Sequence, residues 1–209
     1  GAFKRKEDTH RRDSAVVTGT EMKFQKEATV HQNYEDGEEA GKTFFYETDG
    51  KIYSTADYVY PSPDQLGDIS IPIDIPEAWV VIADRNGSEW DIGSQEFNDR
   101  TINYQGIDLK IDGTFYVRGK KGGSKQKEIN GDILTTREYI ISYGFDGKIK
   151  YSFISSDLNF ELTNHFYYAD NFGLVERVLD PTKIKIDIPA VSDIKIDGSE
   201  SILADFEIK

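Results

Sequence analysis

Tyr139-Ile140-Ile141-Ser142-Tyr143-Gly144-Phe145, then Asp146-Gly147, then Lys148-Ile149-Lys150-Tyr151-Ser152-Phe153 is the stretch that decides the fold. Tyr139, Ile141, Tyr143 and Phe145 alternate with smaller or more polar neighbours, and Ile149, Tyr151 and Phe153 alternate with Lys148, Lys150 and Ser152. A period of two places alternate side chains on opposite faces of a strand. Asp-Gly accepts the positive φ that two-residue hairpin turns require. The pattern predicts a hairpin over residues 134–155 turning at Asp146-Gly147, with its Tyr/Ile/Phe face directed inward.

The same grammar recurs outward from it. Seven Asp-Gly or Asn-Gly pairs punctuate the chain, at residues 36–37, 49–50, 86–87, 112–113, 130–131, 146–147 and 197–198. A second hairpin is expected from Lys42–Tyr46 through Asp49-Gly50 into Lys51–Tyr60. Further strands are expected at 20–31, 78–84, 101–111, 113–119, 159–169, 172–179, 183–188 and 201–208. Ile184, Ile186 and Ile188 alternate with Lys183, Lys185 and Asp187, as on a strand buried on one face. Helical periodicity is lacking apart from a short helix expected after Pro63. The prolines at 61, 63, 72 and 76 mark 61–77 as a crossing loop or edge segment. Residues 119–128, rich in Gly and Lys, are expected to form a mobile basic hairpin tip.

Composition agrees with strands: 12 Tyr and 12 Phe stand against a single Met. With 209 residues, one domain is the simplest division, and the core needs no disulfide or metal to hold it. The fold expected is mainly β, a curved antiparallel sheet or half-barrel with few short helices over residues 18–209, a β-sandwich being the alternative. Residues 1–17 are expected to be a partly disordered tether, in which Lys4, Arg5, Lys6, Arg11 and Arg12 outnumber the acids.

Chemistry is constrained mainly by exclusion. A net charge of −13 disfavours nucleic acid as a partner. The absence of cysteine excludes disulfides, thiol nucleophiles and cysteine-based zinc sites. His10, His31 and His165 are too scattered for a zinc spacing, no Gly-x-Ser-x-Gly elbow or phosphate-binding loop occurs, and no cofactor is implied. Glu89, Asp91 and Glu96 beside Trp90 are the carboxylates to inspect for a glycan-active site. His165 is expected as an exposed or hydrogen-bonded strand residue. Trp90, Trp79, Tyr143 and Tyr168 are the candidate ligand contacts; Trp79 also suits a core, since it opens the apolar run Trp79-Val80-Val81-Ile82.

Residues 132–179 carry a family likeness. Asp132-Ile133-Leu134-Thr135-Thr136 leads into the aromatic strand, and Phe166-Tyr167-Tyr168-Ala169-Asp170-Asn171-Phe172-Gly173-Leu174-Val175 follows. This resembles the Tyr-Ala-x-x-x-Gly-Leu-Val ending of TapB-like bacterial envelope lipoproteins, which are similar in fold to LolA/LppX-type half-barrel lipoproteins. The family's Gly-x-x-Trp-x-Tyr motif is approximated by Gly41-Lys42-Thr43-Phe44-Phe45-Tyr46, with Phe44 in place of Trp. The likeness implies a non-enzymatic extracytoplasmic protein, periplasmic or at the cell surface, and no catalytic residues. Its curved sheet would take a lipid-like or saccharide ligand or an envelope protein. Its membrane attachment would be through an anchor upstream of Gly1, which reads as a trimmed start. The rival expectations are a glycan-active enzyme and a structural or adhesion module of the envelope.

Overall fold

The computed structural model describes residues 13–61, 71–104, 106–129, 131–170, 173–189 and 191–202. Within these the chain is mainly β, in antiparallel sheets with no closed barrel. It divides into two compact units, residues 1–60 with 75–86 and residues 61–74 with 87–209.

The first unit is a five-stranded meander: β1 (Asp13–Lys23), β2 (Lys26–Glu35), β3 (Glu38–Thr48), β4 (Lys51–Thr55) and β5 (Trp79–Asp84), paired in that order. Asp49-Gly50 makes the expected two-residue turn, with φ of 53° and 73° and Thr48 opposite Lys51. Asp36-Gly37 does the same between β2 and β3. The strand expected over 20–31 is two strands. It reverses at Phe24-Gln25, both in the left-handed region at φ 43° and 62°, although neither residue is a turn former. The stretch expected as strand to Tyr60 leaves the sheet at Thr55 for the single turn α1 (Ala56–Val59). The helix expected after Pro63 lies outside the described residues.

The second unit is a six-stranded sheet of β6 (Glu89–Tyr104), β7 (Ile107–Ile129), β8 (Asp132–Tyr151), β9 (Ile154–Ala169), β10 (Gly173–Leu179) and β13 (Ser199–Ile202). The hairpin predicted at Asp146-Gly147 is not there: both residues lie inside β8, and the chain turns at Ser152-Phe153, with Ser152 at φ 55°. Across the ladder Gly147 faces Gly113 of the Asp112-Gly113 pair, and the two backbones approach closely. A Cβ on Gly147 would lie 2.3 Å from the Asp112 carbonyl oxygen; one on Gly113 would lie 2.4 Å from that of Asp146. These glycines permit close strand approach instead of reversal. Beside them, β6 bulges so that Asn98 and Asp99 stand opposite Asp112, with Asp99 at φ 47°. Lys150 clamps the bulge, its Nζ 3.1 Å from Asp99 and 3.4 Å from Asp112.

Side-chain parity survives the misplaced turn. Tyr139, Ile141, Tyr143, Phe145 and Ile149 are all buried, but Tyr151 and Phe153 are not: Phe153 is 92 % exposed at the hairpin tip. The expected basic tip at 119–128 is interior to β7, where the register slips between Lys121 and Ser124. The strand expected over 101–111 breaks at Gly106 (φ 80°), and 113–119 is a segment of β7. Of 183–188 only the first part is strand, as β11 (Thr182–Ile184) paired with β12 (Ile194–Ile196). Ile184, Ile186 and Ile188 are nonetheless all buried. This segment lies against the sheet's apolar face, where the Tyr104 hydroxyl donates to the Ser192 carbonyl at 3.3 Å. The strand expected over 201–208 is described only as far as Ile202. No helix among the described residues is long and apolar enough to cross a membrane.

Candidate functional site

One face of the first sheet collects aromatic rings. Val30 pairs with Phe44, Tyr46 with Tyr53, and Thr55 with Trp79, so alternate residues of β2 to β5 share this face. Tyr46 and Tyr53 stack at 4.5 Å with nearly parallel rings. Trp79 meets Tyr46 edge-on at 4.7 Å and Phe24 at 6.2 Å. Phe44, Tyr46, Tyr53 and Trp79 are half-buried, and Phe24 is exposed. Burial, with the adjacent Tyr53, pushes the Tyr46 phenol above its ordinary value.

The face is concave. β1 and β5 are opposite edges of the sheet, about 19 Å apart if four strand spacings lay flat. Yet the Trp79 indole N–H donates to the Lys23 carbonyl at 3.3 Å. The sheet therefore curls until a side chain of its last strand reaches the backbone of its first. The Lys23 ammonium lies 4.9 Å from the Phe24 ring centre and 5.3 Å from that of Phe44.

In the second unit, Trp90 lies on Gly119, whose missing Cβ would fall 2.0 Å from the indole. It meets Tyr139 edge-on at 6.5 Å, and Tyr139 meets Tyr168 at 6.0 Å. This sets two half-buried candidate contacts, Trp90 and Tyr168, on either side of the buried Tyr139. Tyr143 is 1 % exposed and takes a hydrogen bond from Asn164. Trp79 belongs to the first unit.

On the opposite face of the second sheet is a polar cluster. His165 Nδ1 lies 2.8 Å from Glu138 Oε1, and Nε2 lies 3.2 Å from Asp180 Oδ2. The Tyr167 hydroxyl donates to the same Glu138 oxygen at 2.7 Å, and the Gly123 N–H donates to Oε2 at 3.1 Å. Burial works against the Glu138 charge, but bonds from Tyr167, His165 and Gly123 outweigh it and hold the carboxyl below its ordinary value. Burial and the charges of Glu138 and Glu176 push the Tyr167 phenol well above its own. Glu176, 3 % exposed, bonds Lys127 and lies 3.2 Å from Lys125. Lys125 stands 3.4 Å from the Tyr167 ring centre. These contacts tie β7, β8, β9 and β10 together, and His165 is a hydrogen-bonded strand residue within them. Among the described residues no group of His, Asp and Glu is placed to hold a metal.

Sequence reasoning did not find Lys23, Phe24 or Lys26, because nothing in Lys23-Phe24-Gln25-Lys26 signals a turn. Tyr46 and Tyr53 were detectable as a facing pair, since Asp49-Gly50 fixes their register. No family model matches this chain, and no curated protein or solved structure matches it.

Proposed function

We propose that this chain is a non-enzymatic, extracytoplasmic binding module that takes an apolar or amphipathic ligand on the concave aromatic face of its first sheet. The supporting observation is the cluster of Phe24, Phe44, Tyr46, Tyr53 and Trp79, partly exposed on a surface that curls around them. Concave aromatic surfaces with a few polar groups are the usual small-molecule sites. Covering roughly 100 Å² of such surface contributes about 2.5 kcal/mol before ordering costs. The extracytoplasmic location, the half-barrel shape and an upstream lipid anchor rest on the likeness of residues 132–179 to envelope lipoproteins.

Titration calorimetry with dodecyl maltoside, below its micelle concentration, and with soluble oligosaccharides tests the ligand reading. Trp79→Ala is expected to weaken binding at least tenfold, while Trp90→Phe leaves it unchanged. Unchanged affinity in Trp79→Ala removes the first sheet as the site. An alkaline phosphatase fusion to the full-length precursor tests location: phosphatase activity is expected, and an inactive fusion of normal abundance places the protein in the cytoplasm.

A further inference from the structure

Three costly features coincide at the β1–β2 turn. Phe24 and Gln25 both adopt left-handed backbone without being glycine or asparagine. Phe24 leaves an aromatic ring 37 % exposed. Lys23 and Lys26 are direct cross-strand partners, which sets two like charges on one face with Cβ atoms about 4.5–5.5 Å apart. Neither lysine has a carboxylate partner among the described residues, although the chain carries 38 Asp and Glu against 25 Lys and Arg. The neighbouring cations are neutralised: Lys42 pairs with Glu21 at 2.5 Å, Lys51 with Asp84 at 3.4 Å and Arg85 with Glu47 at 2.9 Å. Strain concentrated in one place points towards function.

The turn also borders the aromatic face directly. The Lys23 carbonyl takes the Trp79 N–H, and its ammonium lies over Phe24 and Phe44. Lys26 projects to the same side as Ala28 and Val30, two residues and four residues further along β2.

We infer that the ligand is an anionic amphiphile, its head held by Lys23 and Lys26 and its apolar body laid on Phe24, Tyr46 and Trp79. This rests on the aromatic face being the binding surface. An anionic head turns the repulsion between the lysines into two charge-assisted contacts. A neutral head leaves that repulsion in place, so the pair acts as a charge filter on whatever the rings accept.

The experiment compares dodecanoate with dodecyl maltoside, which share a tail and differ in charge, in a Trp90→Phe background so that emission reports Trp79. The expected result is dodecanoate binding about tenfold tighter than the maltoside. Lys23→Gln/Lys26→Gln is expected to abolish that preference by weakening dodecanoate binding about tenfold. Acetate, the head group alone, is expected to leave emission unaltered. Equal binding of the two amphiphiles by the parent, or a preference that survives the double variant, overturns the charge filter while leaving the aromatic face as the site. If, by titration calorimetry, Trp79→Ala binds both amphiphiles as the parent does, the face itself fails and this inference with it. A second measurement uses the unliganded protein. Removing one charge in Lys26→Gln is expected to raise the thermal midpoint by a degree or so; a fall shows that the lysines do not repel and overturns the inference independently.

Discussion

At Asp49-Gly50 the chain reverses; at Asp146-Gly147 the same dipeptide, again flanked by alternating aromatic and aliphatic residues, runs straight through a 20-residue strand. The difference lies in what stands opposite. Asp49-Gly50 is at the end of its ladder, with both residues at positive φ and the Asn86 amide donating to the Asp49 carbonyl at 3.0 Å. Gly147 faces Gly113, and the pair closes a gap that no side chain fits. One glycine is used for its dihedral freedom and the other for its missing Cβ.

The two uses predict different costs. Gly147→Val forces a Cβ into the Asp112 carbonyl and the Gly113 Cα, backbone atoms that cannot move aside. It is expected to lose about 3 kcal/mol or more, read as a collapse of the urea midpoint. Gly50→Ala meets only the Asn86 amide, a side chain able to swing away, and is expected to cost about 1 kcal/mol, the penalty of left-handed backbone. Equal losses at the two sites would erase the distinction between them.

Acid provides a second contrast between the units. His31 lies against Phe45 at 4.8 Å in the first sheet, and burial lowers its pKa. The folded value is below the unfolded one, so His31 contributes stability that is full above about pH 6.5 and is lost as pH falls towards the folded value. Glu138 in the second sheet also has a depressed folded value, and its contribution is present above about pH 4.3 and is lost below that. The first sheet is therefore expected to weaken first on acidification. His31→Gln should flatten the urea midpoint between about pH 7.5 and 5 but not below, and Glu138→Gln should do the reverse. A His31→Gln profile identical to the parent's would remove His31 from this account.

The smallest effect belongs to the turn that the chain uses in place of Asp146-Gly147. Phe153 is 92 % exposed there, so Phe153→Ser is expected to change stability by no more than about 0.5 kcal/mol. A larger loss would mean that the ring packs against something in solution.

Which face of each strand is buried was legible in the sequence, because alternation is a property of the strand itself. Tyr139, Ile141, Tyr143, Phe145 and Ile149 keep their parity although the turn expected between them is missing. Turn positions were legible only where the local residues decide them, as at Asp36-Gly37 and Asp49-Gly50. Ser152-Phe153 and Phe24-Gln25 reverse the chain between β8 and β9 and between β1 and β2, and neither pair carries a local mark of it. The aromatic site was half visible. Trp79 and the Tyr46–Tyr53 pairing could be read, but their meeting with Phe24 depends on the curl of five strands, which no short window of sequence contains.

The path of the chain between the units has a practical consequence. The strand bearing Trp79 belongs to the first sheet, yet the backbone reaches it only after contributing residues 61–74 to the second unit. Neither unit can be cut out at a single point. A fragment ending at Tyr60 loses the strand that borders β4, and with it the indole central to the aromatic cluster. Dissecting this protein calls for grafting β5 onto the end of β4 with a short new connection, not for truncation.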